Sequence, residues 1–151
     1  MRRTELVINK LAYISKQAKY ILKLLQNRGP VTKNIIIELT KMKLSTLNRV
    51  MQPLIDDSLI IESEVGSSTG GRKPVLYDIN PKGYYVVGID ISRTYIQIVI
   101  TNMKMEIIMQ QLFTQCYSPQ ITVKLVSESI NSMLGQLSIS KSFVLGIGVG
   151  Q

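Results

Sequence analysis

The sequence predicts a mixed α+β and α/β chain in two parts: helices followed by a β-hairpin over residues 1–82, then a strand-rich segment over residues 83–151. Three observations carry this expectation. In the first half, apolar residues recur at three- and four-residue steps, the period of helices with one buried face. From about residue 59 the apolar pattern shortens to alternation or to near-continuous runs, the pattern of strands. The charge is also uneven. Residues 1–82 carry 14 Lys and Arg against 7 Asp and Glu, whereas residues 83–151 carry 4 against 3.

The first helix follows from Leu11, Ile14, Ala18, Ile21, Leu22 and Leu25, which line one stripe over about 18 residues and end at Gly29-Pro30. Lys16, Lys19 and Lys23 fall off the stripe. Thr32 is placed to cap a short helix whose inward residues are Ile35, Ile36 and Leu39. After a tight "KMKL" connection, Ser45 is expected to cap a third helix, "STLNRVMQPLIDDS". There Leu47, Val50, Met51, Leu54 and Ile55 turn inward, while Thr46, Asn48, Arg49 and Gln52 turn outward. Pro53 lacks an amide donor and crowds the preceding turn, so a kink or an early end is expected at that point.

A helix, a short helix, a tight turn and a polar-faced helix form the helix-turn-helix arrangement, whose second paired helix lies in the major groove. The outward chemistry suits that place. Arg49 can donate two bonds to guanine, Asn48 and Gln52 can pair with adenine, and Ser45 and Thr46 can reach a phosphate or base from the helix N-terminus. Residues 1–55 carry 11 cations against only Glu5 and Glu38, a balance suited to a polyanion. The competing reading is a plain three-helix bundle with a solvated basic face.

"LIIESEV" and "VLYDINP" then read as two strands around the tip "GSSTGGRKP", a wing spanning about residues 59–79. Gly70 and Gly71 let the backbone bend, and Arg72 and Lys73 project cations from the tip. A nucleotide-phosphate loop fails on spacing, because Lys73 precedes Pro74 and a strand follows where a helix is needed. A solvated hairpin is the alternative.

In the second half, "YYVVGIDIS", "YIQIVITN" and "EIIMQQLF" predict three strands. Ile121, Leu125, Ile130, Met133, Leu134 and Leu137 predict an amphipathic helix, and "FVLGIGVG" a strand parallel to the first of the three. The periodicity alone specifies an α/β sheet. The single Cys116 excludes an internal disulfide, and the lack of histidine removes the usual zinc ligand sets, so no metal or other cofactor is expected. Asn9 and Lys10 interrupt the apolar run a signal peptide needs, and Asp90 and Arg93 break the longest apolar stretch, so no membrane segment is expected and a cytoplasmic setting fits.

"GRKPVLYDINPKGYYVVGIDISRTYIQIVITN", with "VLGIGVG" beyond it and the helix-turn-helix before it, resembles the ROK family (repressors, open reading frames, kinases) in its xylose-repressor and N-acetylglucosamine-repressor branch. The resemblance spans essentially the whole chain. It implies a winged helix-turn-helix domain over residues 1–82, and over residues 83–151 the start of an actin-like ATPase (sugar-kinase-like) lobe. It also implies regulation of sugar-utilisation genes, a sugar inducer bound by a complete C-terminal domain, and homo-oligomerisation through that domain. Ser45, Thr46, Asn48, Arg49 and Gln52 become the groove-facing positions. Arg72 becomes a residue that enters or flanks a minor groove, with Lys73 its neighbour in the wing, favouring an A·T-rich operator in double-stranded DNA, and a dimer implies that the operator is palindromic. Asn80-Pro81 becomes a hinge between the parts. Asp90, Ser92 and Thr94 align with the kinases' phosphate-binding Asp-x-Gly-x-Thr, and Ser92 departs from it where backbone must approach a phosphate. The chain stops within the segment that continues toward the family's sugar-binding loops, so an N-terminal fragment or a truncated gene product is expected, with no kinase activity. The rival functions are a sugar kinase of the same family, and an interaction module that dimerises with an intact repressor through an exposed sheet edge.

Overall fold

The computed structural model describes residues 14–64, 73–114 and 118–150, and two compact units divide between Gly83 and Tyr84.

In the first unit, α1 (Lys16–Arg28) starts where the Ser15 hydroxyl accepts a bond from the Ala18 amide at 3.1 Å. It ends at Gly29, whose φ of 76° is the conformation that glycine adopts without penalty. Ala18, Ile21, Leu24 and Leu25 are buried and Leu22 half-buried. The helix has 13 residues where about 18 were expected, because the Ser15 cap starts it after Ile14, which is half-buried ahead of the helix. Leu11 lies outside the described residues. Leu24, three residues after Ile21, joins the stripe although it was not among the residues expected there.

α2 (Lys33–Thr40) is capped by Thr32, whose hydroxyl accepts from the Ile35 amide at 3.4 Å. Ile36 is fully buried, but Ile35, expected inward, is 38% exposed. A helix of two turns has a narrow contact stripe, and neighbours about 100° apart cannot both sit at its centre. Just before it, Val31 bridges Tyr77 through a bond in each direction, at 3.0 and 2.8 Å.

α3 (Leu44–Asp56) begins one residue before Ser45, capped by the backbone of Lys43 without a side-chain bond. Ser45 is therefore not the cap but sits inside the first turn. The cause is local: the Thr40 hydroxyl donates to the Ile36 carbonyl at 2.7 Å and accepts from the Met42 amide at 3.3 Å, which tightens the connection. Lys43 is thereby extended, and its carbonyl takes the Leu47 amide at 2.9 Å. Pro53 does not end the helix, which runs three residues further. Both Pro53 and Arg49 are exposed, so water can serve the carbonyl that Pro53 leaves without a donor. Leu47, Val50, Met51 and Leu54 are buried as expected, and Ile55 is half-buried.

β1 (Ile60–Glu64) and β2 (Val75–Ile79) pair antiparallel, from Ile60 opposite Ile79 to Glu64 opposite Val75. The segment after β2 is bonded back to the first unit. Asn80 donates its side-chain amide to the Ser58 carbonyl at 2.9 Å and its backbone amide to the Leu59 carbonyl at 2.9 Å. Its side-chain oxygen accepts from the Lys82 amide at 3.0 Å, and Gly83 packs against the same Ser58 carbonyl.

The second unit is a four-stranded sheet in the order β5-β4-β3-β6, built from β3 (Tyr85–Ile91), β4 (Ile96–Asn102), β5 (Ile107–Phe113) and β6 (Val144–Gly150). β3 pairs antiparallel with β4 and parallel with β6, and β4 pairs antiparallel with β5. α4 (Pro119–Gln136) starts at a Ser118 cap and packs Val126, Ile130, Met133 and Leu134 against Val87, Ile89, Ile96, Ile98 and Ile100. Ile121, expected in this stripe, is 54% exposed, and Val126 takes an inward place instead. The stripe drifts round a helix of 18 residues, so residues at its ends leave the contact line. Strict alternation on β4 reflects cover from α4 on one face of the sheet.

Candidate nucleic-acid interface

The buried stripe of α3 leaves a continuous outer face. Ser45, Asn48, Arg49 and Gln52 are exposed on it, and Thr46 is half-buried at its border. Gln52 donates its side-chain amide to the Asp56 carboxylate at 2.8 Å, an exposed i,i+4 bond that orders the side chain along the helix. The connection before α3 adds charge: Lys41 and Lys43 are both exposed, and Lys41 takes a left-handed conformation with φ of 57°. These two lysines and Leu44 were passed over in the sequence as turn residues. Leu44 is 54% exposed at the first position of α3, on the border of the outer face beside Asn48. The signal for it was the Lys43-Leu44 junction, where a helix can begin on a backbone cap.

Lys16, Lys19 and Lys23 are exposed on α1, on the side away from its buried stripe. Lys33, at the start of α2, lies over the Tyr77 ring with its Nζ 5.0 Å from the centroid. This cation–π contact and the Val31–Tyr77 bridge tie the α1–α2 connection to β2. Lys73 is exposed just before β2. Arg72, Gly70 and Gly71 lie outside the described residues.

In the second unit, Asp90, Ser92 and Thr94 come together at the end of β3 in a turn that is closed on itself. The Ser92 hydroxyl accepts from the Thr94 amide at 3.2 Å and the Tyr95 amide at 3.1 Å, and lies 3.3 Å from the Thr94 hydroxyl. The Ser92 amide donates to the Tyr95 carbonyl at 2.9 Å. Asp90 accepts from the Tyr95 hydroxyl at 2.7 Å. That hydrogen bond, then the charge of Asp90 and some desolvation, raises the Tyr95 hydroxyl above its usual 10.0. Among the described residues no cluster of potential ligands could hold a metal ion, and no helix is long and apolar enough to cross a membrane.

No family model matches the chain. It is 30% identical over 132 residues to a protein named xylose repressor from Bacillus subtilis (strain 168), covering 87% of this chain and 34% of that one. It is 29% identical over 141 residues to a putative xylose repressor from Caldicellulosiruptor sp. (strain Rt8B.4), covering 86% and 33%. Among solved structures it matches a crystal structure described as a ROK family transcriptional regulator, homologue of the E. coli MLC protein, with a TM-score of 0.64 at 19% identity over 87% of this chain and 34% of that one. The fold is thus one found in ROK family transcriptional regulators. Over most of its own length the chain is a homologue of proteins named xylose repressors, and it spans about a third of the length of the curated relatives it matches.

Proposed function

We propose that this chain supplies the DNA-reading part of a sequence-specific transcriptional regulator, a repressor of sugar-utilisation genes whose complete C-terminal domain responds to a sugar. The observation that carries the reading is the outer face of α3. Exposed Ser45, Asn48, Arg49 and Gln52 follow a short helix and a turn bearing Lys41 and Lys43. In this reading α2 and α3 are the helix-turn-helix, and β1 and β2 are the strands of the wing. Asn48, Arg49 and Gln52 read base edges, Gln52 exchanging its exposed bond to Asp56 for one to adenine. Ser45 and Thr46, with the lysines, hold phosphates. Arg72 and Lys73 approach a minor groove, and the operator is A·T-rich and palindromic, read by a homo-oligomer.

The second unit is read as the opening of an actin-like lobe that does not turn over nucleotide. The names of the relatives support a regulator over the kinase alternative, and the Thr94 and Tyr95 amides are engaged by the Ser92 hydroxyl. Selection of bound duplexes from a random pool, followed by gel shifts across a salt series, tests the reading. A selected sequence bound with an affinity that falls steeply as salt rises is expected. Failure to enrich any duplex, or binding indifferent to salt, overturns it.

A further inference from the structure

The outer face of α3 holds one side chain that the DNA-reading proposal has not used. Leu44 is 54% exposed at the first helical position, one residue after exposed Lys43 and one before exposed Ser45. A lone surface leucine is ordinary in itself. Its setting is not, because Leu44 and Asn48 are four residues apart and therefore stacked on one ridge of the helix. Together they present an apolar tip beside a side-chain amide. An A·T pair shows the matching pattern in the major groove: adenine N7 and N6 as acceptor and donor, and across the pair the thymine C5-methyl. No other base pair places a methyl group next to an amide-matching edge. A position at the N-terminal end of the groove helix is also where base edges come within reach.

We infer that Leu44 is a specificity-determining residue that packs on a thymine methyl group at the base pair Asn48 reads or at the pair next to it. The inference rests on the DNA-reading proposal above and extends it to a thymine-directed apolar contact. Desolvating one methyl group contributes roughly 0.8 kcal/mol, or about a fourfold change in affinity.

The test uses the full 151-residue chain and a duplex selected from the random pool, remade with deoxyuridine in place of thymidine at one position at a time. Uracil keeps every hydrogen-bonding group of thymine and lacks only the methyl. Expected is about a fourfold loss of affinity at one or two thymines in each half-site and none elsewhere. In Leu44→Ala those positions should bind thymine and uracil equally, whereas Leu44→Met, which keeps an apolar tip, should retain the preference. Wild-type binding that is salt-dependent and sequence-specific yet indifferent to uracil at every position overturns the role of Leu44 while leaving the DNA-reading proposal standing. So does Leu44→Ala retaining the full thymine preference. A pool that yields no enriched duplex overturns both.

Discussion

Two glycine-to-alanine substitutions should move stability in opposite directions. At Gly83 an added Cβ would lie 2.3 Å from the Ser58 carbonyl oxygen and 3.1 Å from the Asn80 side-chain nitrogen, well inside the 3.0 Å that real Cβ contacts respect for the first of these. The obstacle is backbone, so no side chain can swing aside. Overpacking of this kind costs about 1–3 kcal/mol, and displacement of the Asn80–Ser58 hydrogen bond adds about 1 kcal/mol. Alanine's lower entropy in the unfolded chain returns about 0.4–1 kcal/mol, because Gly83 does not use a glycine-only φ. Gly83→Ala should therefore destabilise the first unit by about 2–3 kcal/mol. At Gly135, near the end of α4, an added Cβ meets nothing within 4 Å, and alanine should stabilise the second unit by about 0.5–1 kcal/mol. Urea unfolding followed by circular dichroism, with amide exchange to assign each transition to residues before or after Gly83, reads both effects. Wild-type stability in Gly83→Ala, or a greater loss in Gly135→Ala than in Gly83→Ala, would refute the reasoning.

Three further outcomes are expected. Arg49→Ala should cost about 1–3 kcal/mol of DNA binding and relax preference at one base pair, whereas Lys16→Ala, if it removes a phosphate contact, should weaken all sequences alike and reduce the salt slope by about 1, both measured by gel shift. Pro53→Ala restores a donor for the Arg49 carbonyl and should stabilise the first unit by about 2 kcal/mol in urea unfolding, less whatever chain entropy proline had withheld. The bond to Asp90 raises Tyr95, so the stability it contributes is complete below the usual 10.0 and is lost as pH rises through the folded value. Tyr95→Phe should flatten the decline of stability above that pH, and ultraviolet titration should lose one late-ionising tyrosine.

Much of the fold was legible because local chemistry and burial agree. Thr32 caps where it was expected, Gly29-Pro30 ends α1, and Leu47, Val50, Met51 and Leu54 are buried as their spacing predicted. The misreadings fall where periodicity has least hold. Ile35 and Ile121 sit in the first turns of their helices, where a stripe meets or misses its partner according to tertiary packing. The start of α3 was misplaced because Ser45 is a strong capping residue, while the tightened turn after Thr40 let the backbone of Lys43 do that work. That error hid Leu44. Helical spacing brought Asn48, Arg49 and Gln52 to one exposed face, but the Gln52–Asp56 bond and the clamp of Asn80 on Ser58 depend on distances no spacing rule supplies. The tip carrying Arg72 lies outside the described residues.

The turn at the end of β3 has a consequence for anything negatively charged that meets it. Its Thr94 and Tyr95 amides already hold an oxygen, that of Ser92, tethered within the same turn. An intramolecular occupant acts at an effective concentration of millimolar or above, set by the shortness of its tether. An anion approaching these two amides would have to displace an oxygen that cannot diffuse away.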